Sequence, residues 1–412
     1  MKTLSIAALT AALFLGGLTD ASAQDRGGVM TYGRYTDSLF LDPVLNDANV
    51  DIWILTNIYE TLLNPTDDGL GLEPGLATEW ALNEAGDTVT LKLRDGVRFS
   101  DGTAMTAEDV IWSLDRARNP DNGIWNFVLA SVDSVSAPDP QTIELKLKYP
   151  DPTIFSALSV FNTAIMPKAA FEAMVGATDA EKAQEFAKKP IGTGPFMLDS
   201  WERGATMKLV KNPNYWDNGA DGQPLPYLDG LTFEIIPDDA TRILKLQAGD
   251  IDGAEFIPFA RVAELQADPN VKMELFPGTR VWDVIINVRP ELDGRPNPLS
   301  DEKVRQAMNY AANKEALVQV VTFGVGTPLS SFMSTTTPMH SGDGPLFPHD
   351  LDKAKALMAE SGYPDGFKTS ILTIAGNQDD LGISTALQQM WAAIGIELEI
   401  KQVDNASRTD QY

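Results

Sequence analysis

The stretch Arg280-Val281-Trp282-Asp283-Val284-Ile285-Ile286-Asn287-Val288 decides how the chain is interpreted. Five of its nine residues are Val or Ile, and branched side chains of this kind suit a pleated, buried surface. A near-continuous apolar run is typical of a strand that is covered on both faces, as in an α/β sheet. The sequence therefore predicts a buried strand over residues 280–288 and an α/β fold class.

A helix is predicted shortly after this strand. Residues 289–299 contain three prolines and one glycine, none of which a helix interior tolerates well. Ser300 then supplies an N-cap, and the acidic residues that follow it suit the positive end of a helix dipole. Apolar residues recur on one face as far as Val321, and Gly324 should end the helix.

This strand, its proline-rich loop and the run Ser300-Asp301-Glu302-Lys303-Val304-Arg305-Gln306-Ala307-Met308-Asn309-Tyr310-Ala311 resemble the second-lobe signature of the peptide/nickel/opine-type extracellular solute-binding proteins (family 5). Further stretches that resemble the family are 57–60, 93–103 with 106–110, 212–216 and 227–254. The resemblance implies an α/β, two-lobed periplasmic-binding-protein-like fold (type II, cluster C). It also implies an extra subdomain in lobe one.

The domain boundaries follow from the same resemblance. Lobe one is expected over residues 24–278, with the inserted subdomain at about 64–189, and lobe two is expected to start at Thr279 and run to Tyr412. Members of the family continue further and cross back to lobe one. Lobe two is therefore expected to be incomplete in this chain.

Composition excludes several classes of function. The 412 residues carry a net charge of −26, and so acidic a chain repels nucleic acid phosphates and anionic lipid. It has no cysteine, which excludes disulfides, thiolate zinc sites, cysteine nucleophiles and a lipoprotein anchor. A cationic ligand is compatible with this charge, although solubility alone also accounts for it.

The first 23 residues have the pattern of a secretory signal peptide. Lys2 precedes an apolar run over 4–18, and Ala21-Ser22-Ala23 is a small-residue cleavage site. Cleavage between Ala23 and Gln24 predicts a periplasmic protein without direct membrane insertion. An uncleaved N-terminal anchor is the alternative.

Motifs for catalysis and metal binding are lacking in the sequence. His340 and His349 are its two histidines, and neither belongs to a zincin motif. Residues 217–222 look like the start of a calcium loop but lack the glutamate that closes an EF-hand. Gly192 and Gly194 fit neither a dinucleotide fingerprint nor a P-loop. The sequence predicts no enzyme, no cofactor and no metal.

The predicted function is a periplasmic solute-binding receptor of an ABC importer. The resemblance implies that it captures a small solute in the cleft between its lobes and delivers it to a membrane permease driven by an ATPase pair. An oligopeptide or dipeptide is the expected solute, and the receptor is expected to be a monomer that binds no nucleic acid. A secreted hydrolase or a chaperone-like protein with the same fold is the alternative.

The candidate ligand-binding residues are Tyr32, Tyr35, Trp282, Asn287 and Phe332. In a straight strand, side chains five residues apart point to opposite faces, so Trp282 and Asn287 cannot both line a cleft unless the strand is irregular. Trp282 is favoured, although core packing explains it equally well. Tyr32 and Tyr35 belong to a short strand predicted over 30–35. The resemblance places the loop after this strand towards the ligand, and packing in the core or a half-exposed position is the alternative for both tyrosines. A helix follows over about 49–59, and its large apolar residues predict burial on most sides.

Overall fold

A computed structural model describes residues 25–403 except 47, 277, 330–331, 338–339, 341–346 and 376. The predicted signal peptide therefore lies outside the described residues, and so do residues 404–412. The chain divides into two compact units, one ending at Glu255 and the other beginning at Phe256. This division comes earlier in the chain than the boundary at 278/279 that the sequence suggests.

Unit 1 is built from a series of strands and short helices. Its strands are β1 (Val29–Arg34), β2 (Leu63–Pro65), β3 (Leu72–Pro74), β4 (Ala77–Leu82), β5 (Thr88–Leu93), β6 (Val132–Asp139), β7 (Thr142–Leu147), β8 (Phe196–Glu202), β9 (Thr206–Lys211), β10 (Gly230–Ile235) and β11 (Gly253–Ala254). Its helices are α1 (Asn49–Ile58), α2 (Ala107–Ala117), α3 (Ile154–Ala157), α4 (Lys168–Glu172), α5 (Asp179–Phe186) and α6 (Asp239–Ala248), with 3₁₀ turns at Ile124–Leu129 and Phe161–Thr163.

The main sheet of unit 1 has the strand order β11-β1-β10-β9-β8. β1 lies parallel to both of its neighbours, β10 and β11, whereas β9 is antiparallel to β10 and to β8. The chain passes from β10 through α6 to β11, which lies on the far side of β1. The apolar face of α1 buries Ile54, Leu55 and Ile58 in a core that includes Phe233 of β10.

The predicted subdomain contains a second sheet with the antiparallel order β4-β5-β7-β6. α2 packs against β6 and β7, and buried Val110, Leu114 and Ala117 form its inner stripe, as the sequence predicts. Thr106 and Asp109 form the capping box that their spacing indicates. We call this four-stranded sheet with α2 the inserted layer.

Unit 2 is mostly helical around a small sheet. Its elements are α7 (Val262–Ala267), β12 (Glu291–Leu292), β13 (Arg295–Pro296), α8 (Glu302–Ala311), α9 (Lys314–Val321), α10 (Leu351–Glu360), β14 (Phe367–Ile374), α11 (Gln378–Ala392) and β15 (Ile396–Val403), with 3₁₀ turns at Phe259–Arg261 and Pro298–Ser300. β14 and β15 are parallel and are joined through α11, which confirms the predicted βαβ unit. Trp391 of α11 donates from its indole nitrogen to the carbonyl of Met308 at 3.0 Å and closes the core.

The prediction of a buried strand over 280–288 is wrong. This segment has no strand assignment, and Ile285 is 71% and Val288 54% exposed. A strand is stabilised by backbone bonds to a neighbouring strand and by burial of its side chains. In the described part of unit 2, β14 and β15 pair with each other instead. The predicted single helix after it is also divided, because Ala312 and the N-cap Asn313 separate α8 from α9.

Candidate functional site

The carboxyl ends of β1, β10 and β11 meet at one edge of the main sheet in unit 1. The turn between β8 and β9 reaches the same edge, because Ile235 N–H donates to the carbonyl of Ala205 at 2.8 Å. In open α/β sheets, ligands bind outside the carboxyl ends of parallel strands where the connections diverge. We call this surface the carboxyl edge; it comprises residues 35–40, 203–205, 236–238 and Glu255.

A buried ion pair lies under the carboxyl edge. Arg34 Nε donates to Glu255 Oε1 at 3.1 Å, and the two side chains are 2% and 4% exposed. The remaining guanidinium nitrogens donate to Ser38 Oγ and to the carbonyl of Val50 in α1. A buried pair needs such additional bonds to offset the loss of hydration. It therefore ties the ends of β1 and β11 to the start of α1.

Two carboxylates hold the loop 35–40 in place. Asp37 accepts from the indole N–H of Trp201 at 3.0 Å. Asp51 in the first turn of α1 accepts from the main-chain N–H groups of residues 39–40 at 2.8 and 3.0 Å. Charge-assisted bonds of this kind are stronger than neutral ones, so the loop presents its outer side chains on a rigid support.

Apolar and cationic groups are exposed at this support. Leu39 is 62% exposed, and Trp53 on the outer face of α1 is 55% exposed. The guanidinium of Arg203 stacks on Trp201 at 3.4 Å and donates to the carbonyl of Leu39 at 3.2 Å. Such a surface can pack against the apolar parts of a small solute and hydrogen-bond its polar parts.

The structure separates the two predicted tyrosines of unit 1. Tyr35 follows β1 directly and lies half-buried at the carboxyl edge. Tyr32 lies inside β1, and its ring meets Phe233 edge to face with centroids 6.4 Å apart. A Cβ on the neighbouring Gly253 would approach that ring to 2.7 Å. Burial raises the pKa of Tyr32, so this tyrosine is a packing partner of the core.

The predicted residues of unit 2 lie in irregular segments. Trp282 is half-buried, meets Phe259 edge to face at 5.9 Å and lies under the guanidinium of Arg280 at 4.3 Å. Asn287 is exposed, and Phe332 is 77% exposed. Because residues 280–288 are not a straight paired strand, the alternation that opposed Trp282 to Asn287 does not apply.

Sequence reasoning missed the contributions of Leu39, Trp53 and Arg203. The prediction that α1 is buried on most sides is wrong for Trp53. Ile54, Leu55 and Ile58 already fill the inner face of the helix, and Trp53 lies about 160° from Leu55 and about 140° from Ile58 on a helical wheel. That spacing could have indicated from the sequence that Trp53 is exposed. Nothing in the sequence singles out Leu39 or Arg203.

The described residues include no group of three or more His, Asp or Glu side chains arranged to hold a metal ion. Among these same residues, every helix is too short or too polar to cross a membrane. Burial raises the pKa of two acidic groups, that of Asp379 and that of Glu60, which reaches about 7. Glu60 accepts from the indole N–H of Trp216, away from the carboxyl edge.

A model of the family described as "Bacterial extracellular solute-binding proteins, family 5 Middle" matches residues 71–412. The chain belongs to this family. The glutathione-binding protein GsiB of Escherichia coli (strain K12) is 30% identical over 369 residues, which cover 89% of this chain and 68% of that protein. The resemblance to family 5 that the sequence shows is therefore confirmed.

Solved structures agree with the family 5 assignment. A peptide-bound DppA from Helicobacter pylori has a TM-score of 0.75 and 26% identity, covering 93% of this chain and 75% of that chain. AgaA from A. tumefaciens R10 in complex with agropinic acid has a TM-score of 0.74 and 26% identity, covering 93% and 74%. These are the structures of periplasmic binding proteins, so the predicted fold class is confirmed. Because these relatives are solute-binding proteins, this family 5 chain is a binding protein and not an enzyme.

Proposed function

We propose that this protein is the periplasmic receptor of an ABC importer and that its solute is a short peptide. The observation that carries the proposal is the 30% identity to a glutathione-binding protein over 89% of the chain. Glutathione is itself a tripeptide, and the structural relatives DppA and AppA were solved with the peptide STSA and with a nonapeptide. A permease and an ATPase pair at the inner membrane are the proposed partners.

The proposed contribution of unit 1 to solute binding is the carboxyl edge, with Tyr35 and Leu39 as contacts, together with Trp53 of the adjoining helix α1. Trp53 carries most of this expectation, because an exposed indole on a rigid helix supplies a large apolar surface at little entropic cost. Trp282, Asn287 and Phe332 are retained as the proposed contacts of unit 2.

The solute class is tested by thermal unfolding in the presence of glutathione, a dipeptide, a tetrapeptide, agropinic acid and a nickel chelate. A ligand at 100 times its Kd stabilises the folded protein by about 2.7 kcal/mol. We expect saturable stabilisation by at least one peptide. Stabilisation by agropinic acid or the chelate alone would reject peptide as the solute. Hydrolysis of the peptide would reject the receptor role.

The site in unit 1 is tested by Trp53→Ala. We expect the affinity for the stabilising solute to fall about 10-fold or more, since a buried aromatic contact contributes 1–3 kcal/mol. Phe127→Ala is the matched control, because Phe127 is 62% exposed but lies beside the inserted layer. Equal affinities of the two variants, measured by isothermal titration calorimetry, would remove Trp53 from the site.

A further inference from the structure

Glu60 lies where the chain leaves α1 and enters the inserted segment. Its carbonyl accepts from the main-chain N–H of Ile165 at 2.9 Å, which joins the outgoing chain to the far end of that segment. The chain returns past Gly194, whose N–H donates to the carbonyl of Ile58 at 2.9 Å. The chain that enters the inserted segment and the chain that leaves it therefore lie side by side near Glu60.

The side chain of Glu60 is surrounded by groups from separate parts of unit 1. Both carboxylate oxygens lie 3.1 Å from the indole nitrogen of Trp216, and the hydroxyl of Tyr215 lies at 3.5 Å. The guanidinium of Arg94, from the turn after β5, covers the Trp216 ring at 3.8 Å. The carboxylate therefore joins the end of α1 to the loop that follows β9, and Arg94 stacks on the tryptophan of that loop.

Thr193 lies where the chain returns from the inserted segment and carries a buried hydroxyl. Its side chain is fully buried, and among the described residues its Oγ1 has no partner in hydrogen-bond geometry. The same hydroxyl is close enough to Glu60 to favour the charged carboxylate. A protonated carboxyl is a donor as well as an acceptor, so a proton on Glu60 would give Thr193 a donor to accept from.

Burial and the neighbouring groups act on the pKa of Glu60 in opposite directions. Burial raises its pKa to about 7, whereas Thr193, Trp216 and Arg94 favour the ionised form and Asp217 opposes it. Burial also raises the pKa of Tyr215, which therefore keeps its proton and remains a donor at neutral pH. Arg94 and Asp217 are the charged groups that face Glu60, and they act on the pKa of its carboxyl in opposite directions.

We propose that Glu60 is a proton-controlled latch between the end of α1 and the loop that follows β9 in unit 1. When a proton binds from solvent, the carboxyl stops being only an acceptor for Trp216 and Tyr215 and becomes a donor toward Thr193. When the proton leaves, Thr193 and Tyr215 both turn their hydroxyl hydrogens toward the carboxylate. The attachment of this loop to the end of α1 thus changes with pH, whatever solute the protein carries.

The fluorescence of Trp216 provides a local test. We expect the emission of the wild-type protein, minus that of Trp216→Phe, to change with a midpoint near pH 7. Glu60→Gln should abolish this change, whereas Glu108→Gln should keep it, because Glu108 is an exposed acid whose pKa is lowered by Lys168. A change retained in Glu60→Gln would overturn the proposal.

A second measurement uses the wild-type protein alone and so does not require that a variant folds. The side-chain carboxyl carbons of the wild-type protein, labelled with ¹³C-glutamate, are followed by NMR between pH 4 and 9. We expect one carboxyl to titrate near pH 7, far above the ordinary range for glutamate. If every glutamate carboxyl titrates below pH 5.5, no such latch exists. Neither experiment uses a solute, so the outcome is independent of the proposed receptor role.

Discussion

Replacing Arg116 with Met should strongly destabilise unit 1. Arg116 of α2 is 2% exposed and pairs with Asp42 at 3.1 Å and with Asp179 at 2.8 Å. Its guanidinium also lies 4.4 Å from the centroid of the Phe171 ring. Methionine keeps much of the aliphatic volume, but it leaves Asp42, which is fully buried, with two main-chain N–H donors and no cation.

The magnitude follows from the burial of this network. Removing one partner of a buried ion pair costs about 3–5 kcal/mol, because the remaining charge stays in a poorly hydrated place. Arg118→Met on the same helix is the matched control. Arg118 pairs with Asp115 at 2.8 Å, but their side chains are 29% and 44% exposed. An exposed pair three residues apart contributes less than about 1 kcal/mol.

The assay is equilibrium unfolding in urea at pH 7, monitored by tryptophan fluorescence because Trp112 lies beside Arg116. Two units can unfold in separate transitions, so the first transition and its slope are compared between variants. We expect Arg116→Met to lower the midpoint far more than Arg118→Met. Adding Asp42→Asn to Arg116→Met should recover part of the loss. If the two single variants differ by less than about 1 kcal/mol, the network is not a major source of stability.

Three further predictions concern protonation, close packing and association. The folded-state pKa of Glu60 is about 7, whereas its ordinary value is 4.5. The bound proton therefore stabilises the fold fully below about pH 4.5, and this stabilisation is lost as the pH rises through 7. In urea unfolding at several pH values, the wild type should lose about 3 kcal/mol of stability relative to Glu60→Gln over this range. Gly192→Ala should cost about 3 kcal/mol in the same assay, because its Cβ would lie 2.0 Å from the carbonyl oxygen of Ile58. Ile285→Lys should reduce self-association in light scattering at high concentration, because an exposed, unpaired apolar segment favours edge-to-edge contacts.

Each of these has a control and a contrary result. Glu108→Gln should leave the pH dependence of the stability unchanged. A wild-type stability that does not vary from pH 5 to 8 would disprove the prediction for Glu60. Gly278→Ala should be tolerated, because its nearest atom lies 3.9 Å away; equal stabilities of the two glycine variants would refute the close-packing argument. Val175→Lys, at a site that is 84% exposed, should leave association unchanged, and the third prediction fails if Ile285→Lys behaves in the same way.

Local signals in the sequence predicted the regular parts of the fold. The capping box at Thr106 and Asp109 depends on residues three apart, and the βαβ unit of β14 and β15 depends on adjacent periodic segments. The failure at 280–288 has a physical cause, because an apolar run shows only that a strand would be favourable. Whether the strand forms depends on a partner that the run itself does not specify.

The candidate site was harder to predict, because its support is non-local. Arg34 and Glu255 are 221 residues apart in the chain, and a lone arginine next to tyrosines gives no indication of its partner. Tyr35 could be placed because it is the last residue of the strand predicted over 30–35. Tyr32 could not be assigned to the core until the register of β1 with Phe233 was known.

The position of β1 has a consequence for biosynthesis. Its residues pair with Gly230–Ile235 on one side and Gly253–Ala254 on the other, so the first strand of the described residues is flanked by strands made about 200 residues later. The four strands between Ala77 and Leu147 need only one another, and short-range pairings form fastest. We expect the middle of unit 1 to acquire structure first while its N-terminal strand stays unpaired and accessible. β1 is thus among the last strands of this unit to be fixed in place.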